Sequence, residues 1–173
     1  MLGRYENFPE SIHLTMSFTS RLTDQKLQRK ILATSREINR RSFNFEEIGI
    51  PIMLGCTVIF EFGMAEGKSF NYINDDETKR VLSVLKKQSF RVMDFFVAVR
   101  YYKGDAQKKT PLRFDYYMVR FVFSGNNYVE LQVFHERGPR HIAPADIIDL
   151  ISKKVNGGST RKILKRVQLP SES

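Results

Sequence analysis

The stretch His135-Glu136-Arg137-Gly138-Pro139-Arg140-His141 places two guanidinium groups and two imidazoles within seven residues, just ahead of a segment that Pro144 marks as the start of a helix. The first backbone N–H groups of a helix have no intrahelical acceptor, so cations beside them suit an oxyanion or a phosphate. Arg137 and Arg140 are the candidate ligands. Against this stands Asp146, whose place in the first turn offsets part of the helix dipole. His135, Glu136 and His141 lack the i, i+4 spacing of a helical metal motif and no cysteine accompanies them, so neither a metal nor another cofactor is expected.

A second set, Glu61, Arg100, Tyr102, Asp115, Tyr117 and Glu130, falls in segments that read as strands. Period-two alternation that turns Val97, Val99, Phe114, Tyr116, Met118, Leu131 and Val133 toward the helices sends this set, with Phe96, Phe121 and Phe134, to the opposite face. Carboxylates and arginines are nearly balanced there. Such a face suits a lattice of cross-strand ion pairs, a protein-binding or self-associating surface anchored by Tyr, Phe and Arg, or an acid-base pocket in which Glu61, Asp115 or Glu130 works beside Arg100. Base stacking on Tyr102 or Tyr117 is opposed by the neighbouring carboxylates.

The third feature is charge. The 173 residues include 28 Lys and Arg against 19 Asp and Glu, a formal +9. Residues 23–41 hold six basic side chains against two acidic ones, a net of +4, and residues 153–173 hold six against one, a net of +5. The rest of the chain is neutral, so the excess is concentrated in two places. Arg29, Arg36 and Arg40 recur at i, i+7 and i+11 on the side of a helix opposite its apolar stripe, with Arg41 following. Arg161, Lys162, Lys165 and Arg166 form the second concentration. Clustered Lys and Arg displace the counterions of a phosphate backbone, so polyanion binding, nucleic acid foremost and without catalysis, is the leading expectation. A protein-interaction or homo-oligomeric module using the aromatic sheet face is the alternative, and an enzyme with a carboxylate-arginine site on that face the second alternative.

These residues need elements to position them. Alternation over 12–18 marks a strand; Leu27, Ile31, Thr34 and Ile38 mark a helix over 23–41; alternation over 57–64, then Phe70 and Tyr72, marks a hairpin. Asn74-Asp75-Asp76 caps a second helix running to about 88. Three segments rich in Val, Phe and Tyr, 92–102, 112–123 and 128–135, form an antiparallel meander. A third helix starts near Pro144 and stops at Asn156-Gly157-Gly158. The order β-α-ββ-α-βββ-α, with links too short for parallel crossovers, predicts an α+β fold: about six antiparallel strands with three helices mainly on one face, in a single domain. Residues 159–173 read as a basic segment whose end frays from Pro170.

Several function classes lose support. The sequence holds no Walker loop, no G-x-G-x-x-G, no G-x-S-x-G elbow and no kinase set. Cys56, the single cysteine, suits a reducing compartment and a buried structural role. Without a signal-like leader or an apolar run of spanning length, a cytoplasmic location and no integral membrane association are expected.

Overall fold

The computed structural model describes residues 1–49, 55–104, 111 and 113–167; the expected loop at Pro51, residues 105–110 of the loop before the second meander strand, and the fraying end from Pro170 lie outside the described residues. The elements follow the order β1 (Leu14–Ser20), α1 (Asp24–Asn39), β2 (Ser42–Asn44), a 3-10 turn (Phe45–Glu47), β3 (Cys56–Glu66), β4 (Ser69–Tyr72), α2 (Asp75–Leu85), β5 (Val92–Lys103), β6 (Arg113–Phe123), β7 (Tyr128–Arg137), α3 (Pro144–Asn156) and β8 (Leu164–Arg166). The fold is α+β, with three helices and one antiparallel sheet in the order β2-β3-β5-β6-β7-β1-β8, and β4 pairing with the last part of β3. Eight strands replace the expected six. The two additions, β2 and β8, are three residues long, too short to show alternation.

Each helix is explained locally. Thr23 caps α1 by accepting from the Lys26 N–H, and Asn74 caps α2 by accepting from the Glu77 N–H at 2.9 Å. Pro144 occupies the first turn of α3, where its missing N–H is no loss. Leu27, Ile31 and Ile38 of α1, Val81 and Leu85 of α2, and Ile147, Ile148, Ile151 and Val155 of α3 are buried against one sheet face. That face is lined by Val58, Phe60 and Phe62 of β3, Phe95, Val97 and Val99 of β5, Val119 and Phe121 of β6, and Leu131 and Val133 of β7. Cys56 is a buried free thiol.

One strand has the opposite phase from that expected. β6 pairs with β5 through Val97↔Tyr117 and Val99↔Asp115, so Asp115, Tyr117 and Phe121 face the helices, while Phe114, Tyr116 and Met118 lie on the outer face. Both parities of 113–123 carry aromatics, and Tyr117, Val119, Phe121 and Phe123 bury more apolar surface than an outer set interrupted by Arg120. Asp115, the residue that argues against this phase, is fully buried with its hydrogen bonds made within the fold. The proposed grouping of Asp115 and Tyr117 with Glu61, Arg100, Tyr102 and Glu130 on one face is therefore corrected.

The N-terminal residues complete the sheet where β3 and β5 diverge. Gly3 donates to the Ala65 carbonyl and accepts from the Asp94 N–H, each at 2.7 Å, at a φ of +91° that a residue with a side chain rarely adopts. Asp94 is fully buried; its carboxylate accepts from the Tyr5 N–H at 2.7 Å and from Arg120 Nε and a terminal nitrogen at 2.7 and 2.8 Å. Arg120 in turn lies over the Phe8 ring. The arm is thereby clamped across the Asp94 end of the outer face.

Removing the guanidinium leaves a buried carboxylate uncompensated, so Arg120→Met should cost about 3 kcal/mol. Urea denaturation checks this; a midpoint unchanged from the parent protein would show that the clamp contributes nothing.

Candidate functional site

Asp115 is the most heavily hydrogen-bonded carboxylate in the described structure. It accepts from the Tyr101 hydroxyl at 2.6 Å, the Arg140 N–H at 2.7 Å and the His141 N–H at 3.0 Å, and its Oδ1 lies 2.8 Å from His135 Nε2. Tyr101 comes from β5, His135 from β7, and the two N–H groups from the loop into α3. Arg140 reaches this position at a φ of +59°. At Gly138, with φ +113°, a β-carbon would run into the Phe114 carbonyl and the Asp115 carboxylate. The loop read from sequence as an anion site is thus closed around an anion of the chain itself. Consecutive N–H groups cradle it as they would cradle a phosphate.

Around this carboxylate the Tyr117 hydroxyl donates to the Ile142 carbonyl, and the Tyr101 and Tyr117 rings meet His141 and His135 edge-on, each at 5.1 Å. Burial, reinforced by the Asp115 charge, pushes both phenols far above the ordinary tyrosine range. At the start of α3, Ala143 caps without a side-chain bond, and burial raises the Asp146 carboxyl. Among the described residues no group of three or more His, Cys, Asp or Glu is placed to hold a metal ion.

The outer face is built by the same strand. β7 carries a bulge: Tyr117 pairs with His135 but Tyr116 with Arg137, leaving Glu136 as the extra residue. The bulge shifts the parity so that Arg137 reaches the outer face, its guanidinium 4.9 Å from the Tyr116 ring centre. Phe114 stacks parallel to Tyr116, Phe96 packs 5.6 Å from it, and His13 stacks on Phe134 at 4.7 Å. Phe114 is 40% exposed. Arg100, opposite Phe114, pairs with Glu61, and Glu130 accepts from Gln132 at 2.9 Å. Tyr102 lies on the same face but is buried.

The ten cationic candidates do not form one patch. Arg36 and Arg40 both pair with Asp75 at the start of α2, the latter at 3.8 Å, and Arg41 stands over Phe43 together with Lys154. Arg29 is exposed on α1. Arg140 uses its backbone on Asp115, while Arg137 joins the outer face. Arg161 and Lys162 are exposed ahead of β8. Within β8, Lys165 pairs with Thr19 on the outer parity and Arg166 with Phe18 on the inner one. β8 lies at the sheet edge opposite β2, so the end of α1 and the C-terminal cations are on different sides.

Sequence reasoning missed Phe114 and Tyr116 as outer-face aromatics, the first exposed and the second half-buried. The usable signal was Arg120: its parity is the poorer core choice, and Phe114 and Tyr116 share that parity. No helix among the described residues is long and apolar enough to cross a membrane. Comparison with protein-family models, curated proteins and solved structures found no match.

Two outcomes follow from the Asp115 cluster. Asp115→Ala strands a hydroxyl, an imidazole and two N–H groups, so it should lower stability by roughly 3–5 kcal/mol and the melting temperature by roughly 10 °C; a drop under ~2 °C by circular dichroism contradicts this. Because the folded phenols ionise later than unfolded ones, the stability they contribute is complete below the ordinary tyrosine value of 10.0 and declines above it. Ultraviolet titration should show Tyr101 and Tyr117 ionising only as the chain unfolds; normal titration of all seven tyrosines in the folded state would contradict their burial.

Proposed function

We propose that this protein binds single-stranded nucleic acid, without strong sequence preference, on the outer face of the sheet. The observation that carries the reading is the Phe96-Phe114-Tyr116 aromatic group with Arg137 held against Tyr116 and Arg100 beside Phe114. Phe114 is exposed and Tyr116 and Phe96 are half-buried beside it; aromatic rings on adjacent strands offer platforms for bases, and guanidinium groups beside them meet the phosphates. The carboxylates that opposed stacking lose their force: Asp115 is buried on the other side and Glu61 is paired with Arg100. Lys165, though on the same parity, stands level with Thr19 and Tyr128 near the other end of the strands, so it is not part of this group. The remaining excess charge contributes long-range attraction rather than contacts.

Fluorescence anisotropy with a labelled oligouridylate or oligothymidylate tests the reading. Two phosphate contacts, from Arg137 and Arg100, give a log-log salt slope of roughly −1 to −2. Phe114→Ala with Tyr116→Ala should weaken binding at least about tenfold, since each stacked base contributes about 1–3 kcal/mol. Arg29→Ala with Arg40→Ala should change affinity less than about threefold. If the aromatic pair is neutral and the α1 pair abolishes binding, the site is on the helix; if neither oligonucleotide binds at low salt, the proposal fails.

A further inference from the structure

A cleft of about 460 Å³ opens on the opposite side of the N-terminal arm, between the arm, the end of α2 and the start of β5. Its apolar lining comes from Met1, Leu2, Val84, Phe90 and Val92, and Arg4 and Arg91 are its charged side chains. The lining holds no carboxylate, and among the described residues neither arginine has a side-chain partner. Val84 is one of the few large apolar side chains left exposed in the described structure.

Both walls are built rigidly. Gln28, fully buried in α1, clamps the backbone of Phe90 from both sides, donating to its carbonyl and accepting from its N–H, each at 2.8 Å. Gln25 donates to the Leu85 carbonyl at 2.5 Å. On the other side Gly3 is bonded to both β3 and β5, and a β-carbon there would lie 3.1 Å from the Phe90 ring. One buried and one half-buried glutamine spent on holding a surface connection in place keep the cleft open at a fixed width, which lowers the ordering cost of binding.

We infer that this cleft is a binding site for a small amphiphilic anion, a straight-chain carboxylate whose tail lies on Val84, Phe90 and Val92 and whose head group is held between Arg4 and Arg91. The size falls in the range of small-molecule sites, and the wall chemistry is apolar with two exposed arginines at it. A neutral tail would fill the same floor but leave the arginines unused. The site is independent of the sheet face, being formed by other residues.

Calorimetric titration with decanoate, kept below its micelle concentration, should give one-to-one binding. Arg4→Ala with Arg91→Ala should weaken decanoate at least about tenfold while leaving 1-decanol binding unchanged, and Val84→Glu should abolish decanoate binding at an unaltered melting temperature. The inference is overturned if decanoate does not bind, if the arginine variant binds it as well as the parent, or if decanol binds as tightly as decanoate. It is overturned equally if the protein sediments with anionic phosphatidylglycerol vesicles yet ignores monomeric decanoate, since the cations would then serve a lipid surface.

Discussion

A single buried carboxylate decides which side chains this protein shows to solvent. An unpaired Asp in the core would force β6 into the other phase, because a buried ion without partners is far more costly than a few exposed apolar groups. Asp115 meets Tyr101 from β5, His135 from β7 and two N–H groups from the loop into α3, and with those partners the helix-facing phase becomes the better one. Tyr117, Val119, Phe121 and Phe123 then enter the core, and Phe114 and Tyr116 are left outside. The aromatics of this face, Phe114 exposed and Tyr116 half-buried, are thus a consequence of how one core charge is satisfied.

The same solution shapes the loop. Gly138 must lack a side chain for the chain to pass over Phe114 and Asp115, and Arg140 takes a left-handed conformation so that its N–H and that of His141 converge on the carboxylate. The bulge at Glu136 lets His135 point inward and Arg137 outward. Inner imidazole and outer guanidinium are therefore two results of one irregularity. Asp94 repeats the device at the other end of β5, where Arg120 and the Tyr5 N–H bind it and draw the N-terminal arm over the sheet. With the Asp94 end covered by the arm, and Phe96 packed on Phe70, the outer face shows Phe114 exposed with Tyr116 and Arg100 half-buried beside it.

Much of this was legible from residues alone. The α1 stripe of Leu27, Ile31, Thr34 and Ile38 is buried as the 3.6 period requires, and the meander, the hairpin and the Pro144 start of α3 stand within about two residues of their expected ends. Local capping and alternation suffice for those. What escaped depends on contacts distant in sequence. β2 and β8 exist because β3 and β1 offer edges, not because three residues prefer extension. The phase of β6 turns on donors 14 to 26 residues away from Asp115. Charge counts located the cations but not their partners, and Asp75 ties Arg36 and Arg40 to the start of α2.

The central claim is that Asp115, by turning β6, creates a ligand surface on the outer face of the sheet around Phe114. Mapping amide shifts of the isotope-labelled protein during titration with an oligouridylate tests it most directly. The account predicts perturbations centred on Ala98, Arg100, Phe114, Tyr116 and Arg137. Perturbations confined to α1 and the segment around Arg161 and Lys162, with those five residues unmoved, would contradict it.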